Sequence, residues 1–244
     1  MTRRFEPVVL CYHAVTAGWP HPLAIAPDVL ERQLRALLRR RWRPAAAADV
    51  VAGRGRLLHV TFDDAYTNVE AALDVLGRLE ISATIFACSG YADDGRPLAV
   101  PELAGDAARF PDELETMDWD ALRAAAARGV EIGAHTVSHP HLPRLGDAEV
   151  ERELGECKER LEDELRRPCR FLAYPYGEEQ PRIRAIAERC GFEAAFGLPG
   201  SRAEPHRFAL PRVGLYRDDG PLRVLAKTSP LVDRIRPQRQ PAPG

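Results

Sequence analysis

Short apolar runs alternate along this chain with longer segments in which apolar residues recur every three or four positions. The short runs are PVVLCYH (7–13), LLHVTF (57–62), ATIFACS (83–89), VEIGAH (130–135), CRFLAYP (169–175), AAFGL (194–198) and FALPRVGLY (208–216). LLHVTF is almost continuously apolar, as a strand buried on both faces must be. Between the runs, Leu30, Leu34 and Leu37 mark one helix, and Val69, Leu73, Leu76 and Leu79 mark a second. Val150, Leu154, Cys157, Leu161 and Leu165 mark the longest, whose opposite face is charged; Asp147 stands at its N-cap and Pro168 bars its continuation. Alternation of this kind predicts an α/β fold with parallel strands joined by crossover helices, and seven runs fit a barrel better than a sandwich. Residues 90–119 are rich in Gly, Pro and Asp and lack a period, so they read as a long surface loop with one helical turn. Loops of that length belong to a binding face or are mobile. The chain has 244 residues with no linker near its middle, so one domain is expected over residues 1–228, followed by a disordered tail over 229–244.

Charge narrows the partners. Lys plus Arg number 34 against 36 for Asp plus Glu, a formal net charge of -2, so no field favours nucleic acid or an anionic membrane. The opening MTRRFEPVVLCYHAV begins with charge as a signal peptide does, but its apolar run is short, is broken by His13 and has no small-residue cleavage site after it. No apolar stretch approaches the roughly 20 residues of a transmembrane helix. The five cysteines, Cys11, Cys88, Cys157, Cys169 and Cys190, are odd in number and are not spaced as metal ligands. They read as small buried side chains in a reducing compartment. A cytoplasmic chain is expected, with peripheral membrane association left open.

Two motifs carry candidate chemistry. HTVSHP, residues 135–140, sets His135 and His139 four apart; the HExxH arrangement would need a glutamate where Thr136 stands, and Pro140 disfavours helix at His139. The pair therefore lies in a loop leaving the strand VEIGAH, and taken alone it is weak evidence for a metal. TFDD, residues 61–64, ends the strand LLHVTF on Asp63 and Asp64. Asp64 or Thr67 could merely cap the following helix, yet a cap needs one such residue, and two adjacent carboxylates repel unless a cation offsets them. Both motifs leave the carboxyl end of a strand, and in a parallel barrel those ends converge on one mouth. One carboxylate and two imidazoles with open positions suit zinc or a similar divalent ion in a catalytic rather than a structural setting.

TFDD, HTVSH and the later YPYG (174–177), in this order, resemble the leading motifs of the NodB-like polysaccharide deacetylases, carbohydrate esterase family 4. YHAV (12–15), ATIFAC (83–88) and MDWDAL (117–122) resemble the exopolysaccharide-processing branch, and the likeness covers roughly residues 7–220. The resemblance implies a distorted (β/α)7-8 barrel and removal of acetyl groups from sugars, most readily N-acetyl from an N-acetylhexosamine in a polysaccharide or glycan. It makes Asp64, His135 and His139 the ligands of one divalent ion, Zn2+ with Co2+ or Ni2+ as alternatives, and Asp63 the general base that activates a water. The backbone N–H of Tyr176 would meet the oxyanion, while an ordinary turn at Gly177 is compatible with that role. Two departures stand out. Many members carry in the third motif an arginine where this chain has Ala173; Arg212 is the candidate to replace it from across the barrel, against the reading of a surface or loop arginine. Many members also carry a C-terminal Leu-x-His whose histidine protonates the leaving amine, and no histidine follows Tyr216. His13, ending the first strand, is the candidate acid, against a structural or substrate-positioning role. His59 reads as a packed core residue, and His21, His141 and His206 as solvated loop residues. Two further readings stay open: a cytoplasmic deacylase of a small N-acyl, lipid-linked or nucleotide-linked sugar, and an inactive carbohydrate-binding relative.

Overall fold

The computed structural model describes residues 7–53, 55–198 and 206–229. All seven expected strands form among them: β1 (Val8–Tyr12), β3 (Leu57–Phe62), β4 (Ala83–Ala87), β5 (Glu131–Ala134), β6 (Phe171–Ala173) and β7 (Ala194–Gly197), with the seventh run split into β8 (Leu210–Pro211) and β9 (Val213–Gly214). A two-residue β2 (Arg43–Pro44) flanks β3. Eight parallel strands follow one another in the order β8, β7, β6, β5, β4, β3, β1, β9. Only Arg212 separates β8 from β9, so one short segment pairs with β7 on one side and β1 on the other and closes the ring. The result is the expected distorted (β/α) barrel.

Strand residues alternate between two environments. Leu58, Val60 and Phe62 of β3 pack outward against the helices, in one core with Leu30, Leu34 and Leu37 of helix Pro27–Arg39 and Leu73 and Leu76 of helix Glu70–Arg78. Val9, Phe86, Phe171, Ala173, Ala194 and Phe196 form a second core that fills the barrel. The same alternation aims His59 and Thr61 inward with Asp63 above them. At Gly133 of β5 a Cβ would come within 2.5 Å of the Phe86 ring, so only glycine lets that ring fill the interior.

His59 is a core residue, as expected: one ring nitrogen lies 2.9 Å from the Ala45 carbonyl and the other 2.9 Å from Thr84 Oγ1. Burial pushes its pKa down from 6.5 to about 4. Between those values the unfolded chain binds a proton that the folded chain refuses, so stability falls as pH drops through that window. We expect His59→Gln, which keeps an amide for both partners, to remove a loss of about 3 kcal/mol between pH 6.5 and 4. Denaturant unfolding of the two proteins across this range checks it, and parallel curves would refute it.

Two local expectations need correction, and one alternative falls away. The long helix, Asp147–Leu165, is capped by Gly146 rather than Asp147: the Glu149 carboxylate accepts from the Gly146 N–H at 2.9 Å, and Asp147 is the first helical residue. No side chain caps the helix after TFDD, so neither Asp64 nor Thr67 serves that purpose. The inserted segment 90–119 holds not one turn but three short helices, Pro101–Leu103, Ala104–Arg109 and Pro111–Leu114. They have no period to read because they are held by contacts to the barrel loops, such as the Asn68 side-chain amide to the Glu113 carbonyl at 2.9 Å. All five cysteines are free thiols; four are buried and Cys190 is partly exposed. No helix among the described residues is long and apolar enough to cross a membrane. The expected disordered tail lies outside the described residues, apart from Ser229.

Candidate active site

In an extended strand Asp63 and Asp64 would point to opposite faces. They do not, because Asp64 (φ 69°) and Ala65 (φ 53°) both adopt the left-handed conformation, which turns the chain back and swings the second carboxylate over the mouth. The histidine loop uses the same device at Thr136 (φ 73°) and His139 (φ 59°), and the third motif uses it at Tyr176 (φ 58°). Of the eight non-glycine residues with positive φ among those described, five stand in these three loops. Such strain costs of order 1–3 kcal/mol per residue and persists where surrounding contacts over-determine it.

Those contacts are specific. The Thr136 hydroxyl accepts from the His139 N–H at 2.9 Å, which gives the residue in the HExxH glutamate position a purpose of its own. Glu153, buried on the long helix, accepts from the N–H groups of Val137 and Ser138 at 2.9 Å each and from the Ser138 hydroxyl at 2.8 Å. One carboxylate thus braces the whole histidine loop. The sequence offered one signal for it: Glu153 stands three residues after Val150 and four before Cys157, which puts it on the apolar face of the helix.

The loops bring Asp64, His135 and His139 together. Asp64 Oδ1 lies 3.4 Å from His135 Nε2 and 3.3 Å from His139 Nε2, and ligand atoms from all three residues fall within 4.8 Å of one another. Those contacts are long for hydrogen bonds, and Asp64 Oδ1 is buried without a partner. Two ligands at about 2.0–2.1 Å from a tetrahedral ion stand about 3.3 Å apart, so the spacing fits a cation better than it fits direct bonding. His135 Nδ1 donates to the Ala173 carbonyl at 2.8 Å, fixing the tautomer that leaves Nε2 free. Burial would push the Asp64 carboxyl up, but the two imidazoles hold it well below the usual carboxylate range. His135 is raised, the attraction of Asp63 and Asp64 overcoming its burial.

Asp63 stands beside this group, and Arg212 grips it. Nη1 to Oδ1 is 2.6 Å and Nη2 to Oδ2 is 2.8 Å, a two-pronged pair with no solvent exposure at the arginine. Arg212 also donates to Thr61 Oγ1 at 3.1 Å. It is therefore not a loop arginine: it is aimed inward from the point where the barrel closes, and it reaches Asp63 from there. Burial raises the Asp63 pKa, and Arg212 together with His135 and His13 more than reverses this, so the group stays ionised. His13 reaches the mouth as expected, with a ring nitrogen within 4.8 Å of an Asp63 oxygen and of Cys11 Sγ. Its Nδ1 is buried without a partner, and burial lowers its pKa despite the nearby carboxylates. His141 is not simply solvated. Its two nitrogens lie 3.0 Å from Glu102 Oε1 and 2.9 Å from Glu178 Oε2, and its ring stacks on Tyr176 at 3.8 Å. His21 lies flat on buried Trp19 at 4.4 Å, and His206 is exposed.

A parallel barrel with an Asp, His, His cradle at its carboxyl mouth, and an ion-paired carboxylate against it, defines the distorted (β/α) class whose metal sites keep open positions. The polysaccharide deacetylase family profile matches residues 51–195, more than half of the chain, and the chain belongs to that family. The chitooligosaccharide deacetylase of Sinorhizobium fredii is 29% identical over 144 residues, which are 56% of this chain and 54% of that protein. The chain spans about half the length of the curated relatives it matches. Among solved structures, the Streptococcus pyogenes deacetylase PplD in complex with acetate superposes with a TM-score of 0.77 at 18% identity, covering 93% of this chain and 99% of that one. IcaB from Ammonifex degensii gives 0.75 at 22% identity, covering 92% and 97%. At these identities the structural likeness is one of fold.

Proposed function

We propose that the chain is a metal-dependent hydrolase that removes acetyl groups from a glycan, most readily the N-acetyl of an N-acetylhexosamine. The observation that carries this reading is the orphaned Asp64 Oδ1 between two imidazole nitrogens, with an ionised carboxylate held beside it. Asp64, His135 and His139 would hold one divalent ion, and a mixed carboxylate and imidazole set suits zinc, with cobalt or nickel as alternatives. When bound, such an ion supplies Lewis acidity, making water a better nucleophile near neutral pH and polarising an acyl carbonyl. Asp63 takes the proton from the attacking water; Arg212 keeps it ionised and aims it. The Tyr176 N–H, on a backbone turned over the mouth, meets the charge developing on the acyl oxygen. His13, with a ring nitrogen within 4.8 Å of an Asp63 oxygen, would give a proton to the departing amine.

Incubating the metal-loaded chain with N-acetylglucosamine oligomers, peptidoglycan fragments, acetylated xylan and nucleotide sugars tests the reading. Acetate release from at least one oligomer, abolished by chelator and restored by zinc or cobalt, is the expected result. Release from the nucleotide sugars alone would shift the substrate to a small or activated sugar, and no release from any substrate would leave a carbohydrate-binding relative as the better description.

The Glu153 brace gives a second expectation. Glu153→Ala should weaken divalent-ion binding by about 10- to 100-fold, the usual cost of losing a group that orients a ligand. Competition titration against a chromophoric chelator measures it, and unchanged affinity would show that the loop holds its shape without help.

A further inference from the structure

We propose that Glu102, on the segment inserted between β4 and β5, is a positioning residue for the oxyanion side of the site. The inference rests on the deacetylase reading above. Glu102 Oε2 accepts from the Tyr176 hydroxyl at 2.9 Å, and Oε1 lies 3.0 Å from His141 Nε2. The other His141 nitrogen lies 2.9 Å from Glu178 Oε2, so the imidazole is strung between two carboxylates. His141 and Tyr176 stack at 3.8 Å with 6° between their planes, and the Tyr176 ring also meets the His139 ring at 4.7 Å with 69° between their planes. The Tyr176 ring is thus held by two imidazoles and at its hydroxyl.

This ring belongs to the residue whose backbone is left-handed and whose N–H the deacetylase reading assigns to the oxyanion. Gly177 follows at φ 68° and can take that conformation freely; Tyr176 at φ 58° cannot. An outside contact must hold it. Glu102 is well placed to do so because its own segment is anchored elsewhere: Thr67 N–H to the Glu115 carbonyl at 2.9 Å, the Asn68 side chain to the Glu113 carbonyl at 2.9 Å, and Trp19 Nε1 to Asp106 Oδ1 at 3.2 Å. The insertion is tied to the loops after β1 and β3, and through Glu102 it reaches across to the loop after β6. Contact with His139 through the same ring extends the support to one flank of the candidate metal cradle.

Two readouts test the proposal: steady-state acetate release, and amide hydrogen exchange over residues 174–178 without added metal. Glu102→Ala should speed exchange in that segment and lower kcat by about tenfold, in line with the cost of small misplacements at a reacting centre, while KM moves less than about twofold. Glu102→Gln, which keeps an oxygen for the tyrosine hydroxyl, should recover most of the loss. Tyr176→Phe should match Glu102→Ala, and the double variant should be little worse than either, because both remove one linkage. Unchanged exchange in Glu102→Ala would overturn the proposal whatever the substrate. Altered exchange with unchanged kcat, a rise in KM alone, or multiplying losses in the double variant would overturn it too. A wild-type chain that releases no acetate would instead sink the deacetylase reading, and the exchange result would still decide whether Glu102 holds the Tyr176 backbone.

Discussion

Asp63→Asn is expected to lower acetate release by about 10²- to 10⁴-fold, the usual contribution of a positioned general base, while the chain still takes up one divalent ion. The two effects separate because the carboxylates have separate surroundings. Asp63 faces Arg212 through both oxygens, whereas Asp64 Oδ1 faces the two imidazoles. An asparagine keeps one acceptor for the guanidinium but cannot take a proton from water. His139→Ala should do the reverse, losing the metal first and activity as a consequence. Metal analysis of both variants beside their turnover numbers makes the check. An Asp63→Asn protein with near-normal rates would show that the base lies elsewhere, and one lacking metal would show that the division between the two aspartates is wrong.

Arg212→Met carries the second large effect, and it is one of stability as well as rate. Removing one member of a fully buried ion pair leaves its partner charged and unsolvated, which costs about 3–5 kcal/mol. Methionine fills part of the space, so the charge rather than a cavity dominates. In the wild type the Asp63 pKa is held below its ordinary value by Arg212 against burial, so the pair contributes stability that is present above the ordinary carboxylate value of about 4 and lost as pH falls through the folded value. Without Arg212 only His135 and His13 oppose the burial and the Asp63 pKa rises, so protonation relieves the variant. The gap between variant and wild type should therefore be widest near neutral pH and narrow toward acid, as read by denaturant unfolding. A pH-independent gap would assign the cost to packing against Phe86, whose ring lies 5.5 Å from the guanidinium carbon. Arg212→Lys should recover part of the stability but little of the rate, because a single ammonium cannot aim both carboxylate oxygens.

Arg212 also shows where reading the chain in order stops. The strand that carries it was evident, and an arginine missing at Ala173 made it a candidate. Yet its partner lies 149 residues away, and no local pattern distinguishes an inward arginine at a barrel seam from one on a loop. His141 reads as solvated in the sequence for the same reason: both of its carboxylate partners, Glu102 and Glu178, arrive from other loops. The short helices of the insertion escaped notice because barrel contacts hold them and their own amphipathic spacing does not.

The order of strands and helices, the buried character of the barrel staves, and the residue types able to grip a cation or move a proton are all written locally. Side-chain period and donor chemistry depend on neighbours within a turn or two, so the chain states them before it folds. What folding alone supplied is the meeting of groups far apart along the chain. It closed the ring through Arg212, pressed Glu153 against the histidine loop, and forced five non-glycine residues into left-handed backbone at the mouth. Those arrangements cost energy locally and are stable because contacts from distant segments offset that cost, and no window of neighbouring residues contains both sides of the balance.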